Sequence, residues 1–223
     1  TLDMAGSDGV LMRASGDFAL RVSGFAEAYG NMVLDKTTSV IVLADGREVA
    51  VDQLSIAGSG LYAFAGVGGP YFIDTNGNGL DLTDAADRSD SAVGFAMENA
   101  DLRLALLSAQ AGADADIAEA KWLGLTTAAD TIAFVGVDDV SMTVSDFSAE
   151  INQVFGLSAG ADADALVADF AARPVQVATG PASLEALSVS GAEGAVIRAS
   201  ADVDMVVGDF VYLGGSLGLE KSR

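Results

Sequence analysis

The chain has 223 residues, with 11 Lys and Arg against 32 Asp and Glu, a formal charge of −21 and 51% apolar residues. Such an acid excess argues against nucleic acid or an anionic membrane surface as partner. With no His and no Cys, disulfides, Cys-His dyads, Ser-His-Asp triads and zinc sites built from those ligands are excluded. The apolar content is too high for a disordered acidic tail, and the length allows one large domain or two small ones.

The acid is mostly Asp, which favours turns and caps, and Gly is abundant at 26 residues. Short apolar runs punctuated by Gly and Asp predict β structure, with strands of five or six residues and a turn every 6–12 residues. Phe18, Leu20 and Val22 alternate with Ala19 and Arg21. Residues 40–44, Asp45-Gly46 and residues 47–51 read as a hairpin, with Asp-Gly in a type I′ turn. The same period of two recurs at Leu54/Ile56, Met142/Val144, Val203/Met205/Val207 and Leu217/Leu219. Segments 112–121 and 162–172 are Ala-rich enough to be helical, although an edge strand fits the second nearly as well. Pro174 and Pro181 bracket a short strand at 175–178. No apolar run reaches the ~20 residues of a spanning helix, and strands this short would not span as a barrel. No segment reads as a signal peptide, so the chain reads as a piece of something longer.

A repeat is the strongest signal. At an offset of 185, without a gap, Arg13, Ala14, Ser15 and Asp17 match Arg198, Ala199, Ser200 and Asp202. Val22, Phe25, Gly30, Leu34 and Lys36 match Val207, Phe210, Gly215, Leu219 and Lys221. Leu2, Gly6 and Gly9 match Leu187, Gly191 and Gly194. Arg and Lys are scarce here, so their alignment tells against chance. Residues 1–185 form one unit, and 186–223 open the next, equivalent to 1–38. Fainter echoes join 63–67 to 133–137, 22–25 to 144–147 and 207–210, and 111–116 to 159–164. One β-rung template reused explains them, as does drift in an Ala/Gly/Asp-rich chain.

The sharpest local motif runs from Asp74 to Asp84. It has the D-x-N-x-N-G opening of an EF-hand or dockerin calcium loop. Asp74, Asn76 and Asn78 offer side-chain oxygens, Gly79 the sharp turn and Leu80 its carbonyl. The bidentate Glu of position 12 is replaced by Ala85, so Asp84 or Asp87 (or Asp81) would complete the shell. The alternative is an Asn-Gly turn with solvated acids. Asp84/Asp87/Asp90, Asp114/Asp116, Asp138/Asp139, Asp162/Asp164 and Asp202/Asp204 are further acidic groups, read as solvated faces or weak calcium sites. Paired carboxylates also serve glycoside hydrolysis, but one Trp and four Tyr give little platform for sugar stacking. Arg13/Ser15 and Arg198/Ser200 recur with the repeat, which suits packing better than catalysis.

The strings LDMAGSDGVLMRASGDFALRVSGFAEAYGNMVLDKTT, VIVLADGREVAVDQLSIAGSGLYAFAGVGGPYFIDTNGNG and AVGFAMENADLRLALL resemble the repeats of giant bacterial surface and secreted adhesins exported by type I secretion. The resemblance covers most of the chain and implies an exported, elongated, calcium-associated structural repeat with no catalytic signature. The expected fold is an all-β elongated repeat module, solenoid-like, with stacked β-sandwich units as the alternative. The expected role is a non-enzymatic extender at a bacterial cell surface, whose partners are neighbouring repeats or other copies. A surface-layer lattice protein, a polysaccharide-acting enzyme and, from the positive mean hydropathy, a lipid-carrier groove are the other readings.

Overall fold

A computed structural model describes residues 12–180, 183–208 and 210–222. The fold is all-β, with no helix among these residues. Eight strands form one antiparallel sheet: β1 (Met12–Val22), β2 (Ala26–Val42), β3 (Glu48–Val67), β4 (Val93–Ala109), β5 (Lys121–Val135), β6 (Val140–Phe155), β9 (Val196–Val207) and β10 (Val211–Ser222). They pair in the order β1-β2-β3-β4-β5-β6-β9-β10. Between β6 and β9 a separate two-stranded ribbon forms, β7 (Val175–Ala178) with β8 (Leu184–Leu187). Among the described residues the sheet is open, with β1 and β10 as its edges.

Several local expectations change. The sheet strands run from 11 to 20 residues, not five or six. The sequence hides this because its Gly, Asn and Asp punctuation lies inside strands as bulges. Pairing shifts at Tyr29/Asn31, between Gly58 and Ala63, and at Ser145/Ser148. Gly60, Asn99 and Asp146 take positive φ on this line across the sheet. Each bulge absorbs one residue and keeps apolar side chains on their proper face. The Asp45-Gly46 hairpin is present, but only Gly46 has positive φ. Gly46 N–H donates to the Leu43 carbonyl at 2.9 Å and Leu43 N–H to the Arg47 carbonyl at 2.8 Å. The connection is thus a three-residue loop closed by a left-handed glycine, rather than type I′. Segments 112–121 and 162–172 are chains of turns, since Asp and Gly break their Ala-rich runs before a helix can nucleate. The strand at 175–178 forms as expected, while Pro181 lies outside the described residues.

One face of the sheet is covered. The β7–β8 ribbon and the turns at 156–170 lie over β2 to β6. They bury Ile41, Leu43, Val51, Trp122, Phe170 and Leu187 in an upper cluster. Trp122 Nε1 donates to the Leu166 carbonyl at 2.7 Å and Asn152 Nδ2 to the Ala168 carbonyl at 2.7 Å, tying the turns to the strands. Below the bulges, the segment after β3 folds back to bury Tyr29, Phe64, Tyr71 and Phe72 in a lower aromatic cluster. The Tyr29 and Phe72 rings meet edge to face at 5.7 Å.

The opposite face stays open among the described residues. The row Leu34–Ile56–Leu104–Leu125–Ile151–Ile197 crosses it strand by strand. Phe95, Phe134, Met142 and Met205 form another row below the bulges. None of these ten side chains belongs to a buried cluster.

Candidate functional site

The repeated segments supply the first candidate. Residues 12–22 and 26–36 form the β1–β2 hairpin, and their counterparts form β9–β10. The registers agree at the offset of 185: Met12 faces Lys36 and Ile197 faces Lys221, while Val22 faces Ala26 and Val207 faces Val211. The turns agree too. Phe25 N–H donates to the Val22 carbonyl at 2.8 Å and Phe210 N–H to the Val207 carbonyl at 3.4 Å. Ser23 and Gly24 both have positive φ, which makes this a type I′ turn. The matches at Leu2, Gly6 and Gly9 lie outside the described residues. The two hairpins occupy opposite edges. Among the described residues no strand pairs with the outer side of β1, whereas β9 is paired to β6.

That β6–β9 seam shows what the repeated polar residues do. Glu150 faces Arg198, with 3.8 Å between carboxylate and guanidinium, and the Ser148 and Ser200 hydroxyls are 2.9 Å apart. Glu193 also binds Arg198 and holds its guanidinium protonated above its ordinary range. At the free edge, Arg13 pairs with Asp35 at 3.0 Å across β1–β2, while Ser15 is exposed. Of the fainter echoes, 63–67 and 133–137 both flank the start of β4, where Gly66 lies opposite Gly94 and Gly136 packs on Ala92. Segments 111–116 and 159–164 are matching turns after β4 and after β6, each with a positive-φ glycine. Residues 144–147 differ from 22–25: they form the β6 bulge, not a hairpin turn.

The second candidate is the loop after β3. Asp74 accepts from Gly77 N–H at 2.6 Å and Gly79 N–H at 3.0 Å, and Asn76 Oδ1 accepts from Asn78 N–H at 3.0 Å. Asp84 accepts from Ala86 N–H at 2.8 Å. Asp87 is fully buried and accepts from Thr75 N–H at 3.3 Å and Asp81 N–H at 2.8 Å, stitching the two ends of the loop. Thr83, through its hydroxyl and its backbone N–H, holds the Asp81 carboxyl below its usual range. Asp74, Asn76 and Asn78 thus sit on one tight turn with Leu80 just beyond, and Asp84 and Asp87 close the loop.

Sequence reasoning missed Arg88. Its guanidinium donates to the Leu82 carbonyl at 2.7 Å, the Asp84 carbonyl at 3.1 Å and the Asp87 carbonyl at 3.2 Å, and lies 4.7 Å from the Phe72 ring centre. A cationic side chain already meets the loop's carbonyls. Among the described residues no three carboxylates gather within reach of one metal ion. A calcium ion here would draw on the amide and carbonyl oxygens of residues 74–80, which remain exposed.

Several of the other acids find arginine or backbone partners. Asp114 and Asp116, with Asp45, surround Arg47 at 3.1, 2.9 and 2.7 Å. This holds the Asp116 carboxyl below its usual range and the guanidinium above its own. Asp164 accepts from Ala195 N–H at 3.2 Å, while Asp202 and Asp204 share one face of β9, as their spacing predicts, with Asp204 exposed. Apart from Asp45, these partners lie dozens of residues away in sequence, so spacing alone could not reveal them. No helix among the described residues is long and apolar enough to cross a membrane. Compared with protein-family models, curated proteins and solved structures, the chain matches none.

Proposed function

We propose that this chain is a structural repeat, an extender segment of a large extracellular or cell-surface bacterial protein. Its units would join edge to edge, so that one antiparallel sheet continues from unit to unit. The supporting observation is the equal register of the two hairpins on opposite edges of the sheet. Because β9 is the counterpart of β1, the β6–β9 seam is a template for the junction between units. The free edge of β1 would take the β6 of a preceding unit, with its Glu150 against Arg13 and its Ser148 against Ser15. The elongated character expected from the sequence then comes from growth across the strands. Calcium on the 74–87 loop, as a structural ion, belongs to the same proposal and rests on the oxygen-bearing side chains gathered there.

The test is the full chain carrying a second copy of residues 1–185 at its N-terminus. Six strands at ~4.8 Å spacing lengthen the particle by roughly 30 Å in small-angle X-ray scattering. The protein has no cysteine, so Cys at position 148 of the leading copy and at position 15 of the following copy form a clean disulfide trap. A particle that grows in width instead of length, or a disulfide that fails to form, overturns edge-to-edge joining.

A further inference from the structure

All three lysines of the chain, Lys36, Lys121 and Lys221, belong to the open face above the bulge line. The seven described arginines each have a carboxylate within 4 Å. None of the lysines does among the described residues, although acids outnumber bases 32 to 11. Among the described residues, the cations without acid partners are therefore gathered on the open apolar face. Between Lys36 and Lys121 that surface sinks into a trough of about 470 Å³, floored by Leu54, Leu106 and Leu123 and closed by Phe155. Leu54, Leu106 and Leu123 are directly paired neighbours on β3, β4 and β5, and Lys36 continues the row on β2. Leu106 is 38% and Phe155 52% exposed, so the trough is reached from solvent. Asp52, the acid on its wall, is engaged by the Gln110 amide at 3.0 Å.

We propose that this trough binds a long-chain fatty acid. Its alkyl chain lies along the leucine row and its carboxylate ends at a lysine. The volume falls within the range of small-ligand sites, and the combination of an apolar floor with a few charged groups at the ends is what such sites need. A chain of −21 repels anions at long range, so a carboxylate is held only where local cations stand beside apolar surface. A second copy laid on this face would desolvate three lysines against largely apolar surface, and the acid on the trough wall, Asp52, is already engaged by Gln110. This inference is independent of how repeats join.

The experiment titrates the full chain with saturated fatty acids of 10 to 16 carbons below their micelle concentrations. Trp122, whose backbone lines the trough, serves as the fluorophore. Affinity should rise about two- to four-fold per methylene, the range from partial to full burial of each CH₂. The double variant Lys36→Gln/Lys121→Gln should bind the carboxylates at least ten-fold more weakly, yet bind the uncharged methyl esters as the parent does. Leu106→Asp should abolish both, with an unchanged circular dichroism spectrum. Affinity independent of chain length, or a lysine variant that binds carboxylates normally, overturns the proposal. So does binding to anionic vesicles alone, or a dimer broken by Leu106→Asp in a protein that takes up no fatty acid.

Discussion

The Glu27 carboxylate latches the lower aromatic cluster to the sheet, and its removal should be the most damaging single change in that half of the protein. Glu27 is only 4% exposed. One oxygen accepts from the N–H groups of Tyr71 and, at 3.3 Å, Phe72. The other accepts from the Tyr29 hydroxyl at 2.8 Å and stands 3.8 Å from Arg21. Glu27→Ala orphans two backbone donors and a phenol in a buried setting. At about 1–3 kcal/mol for each unsatisfied group, and less than additively, the loss should be about 3–5 kcal/mol. Glu27→Gln keeps one acceptor oxygen and loses the charge, for about 1–2 kcal/mol. With a urea dependence of about 2 kcal/mol per molar, the midpoints fall by about 1.5–2.5 M and 0.5–1 M. Trp122 fluorescence reports the upper cluster and near-ultraviolet tyrosine dichroism the lower one. In Glu27→Ala the tyrosine signal should be lost at lower urea than the tryptophan signal. A midpoint within about 0.3 M of the parent, or equal damage from Gln and Ala, would refute the latch.

Four further outcomes are expected. Trp122→Phe leaves the Leu166 carbonyl without its donor and a gap in the upper cluster, costing about 2–4 kcal/mol in urea unfolding followed by circular dichroism. Gly94→Ala aims a methyl group at the Ala65 carbonyl and at Gly66 Cα, 2.6 Å away, where only backbone could yield, so soluble expression should collapse while Gly16→Ala, which meets open space without a positive φ, remains soluble. Arg47 depresses the Asp116 pKa, so that stability is present above the usual Asp value and is lost as pH falls through the depressed one; Arg47→Gln should flatten this acid limb in melting curves taken from about pH 5 to 2, and an unchanged limb would count against the pairing. Millimolar calcium should raise the melting temperature more than sodium at equal ionic strength, Asp74→Ala should remove most of that excess and Asn76→Ala less, and a full excess in Asp74→Ala would assign the ion elsewhere.

What could be read from the residues alone was whatever depended on neighbours in sequence. The strand at 175–178 was legible because Pro174 sets a boundary, and the hairpin near Gly46 because few residues accept its φ. The repeat was legible because scarce Arg and Lys fell on matching positions. Strand length was not, because Gly60, Asn99 and Asp146 carry the marks of turns and act as bulges. A bulge differs from a turn only in whether the chain carries straight on, which is decided by pairing with strands roughly 30 to 60 residues away. The partners of the acids were hidden for the same reason, since Arg47 reaches Asp116 only once β4 and β5 are in place. Arg88 was not legible because a guanidinium and a metal ion are met by the same loop carbonyls, and only the fold brings Arg88 to them.

The described chain begins at one edge of the sheet and ends at the other, so tension between its ends acts across the strands. Hydrogen bonds in that direction open a few at a time from an edge, like a zipper, instead of resisting together in shear. The first parts to yield at the C-terminal side are β10 and then β9. Residues 196–222 extend to roughly 90 Å at ~3.4 Å per residue, while the clusters under β2 to β6 stay closed. A sheet loaded in this direction gives way under modest load by lengthening, and it recovers when the load is removed because each strand re-forms beside a template that never left its place.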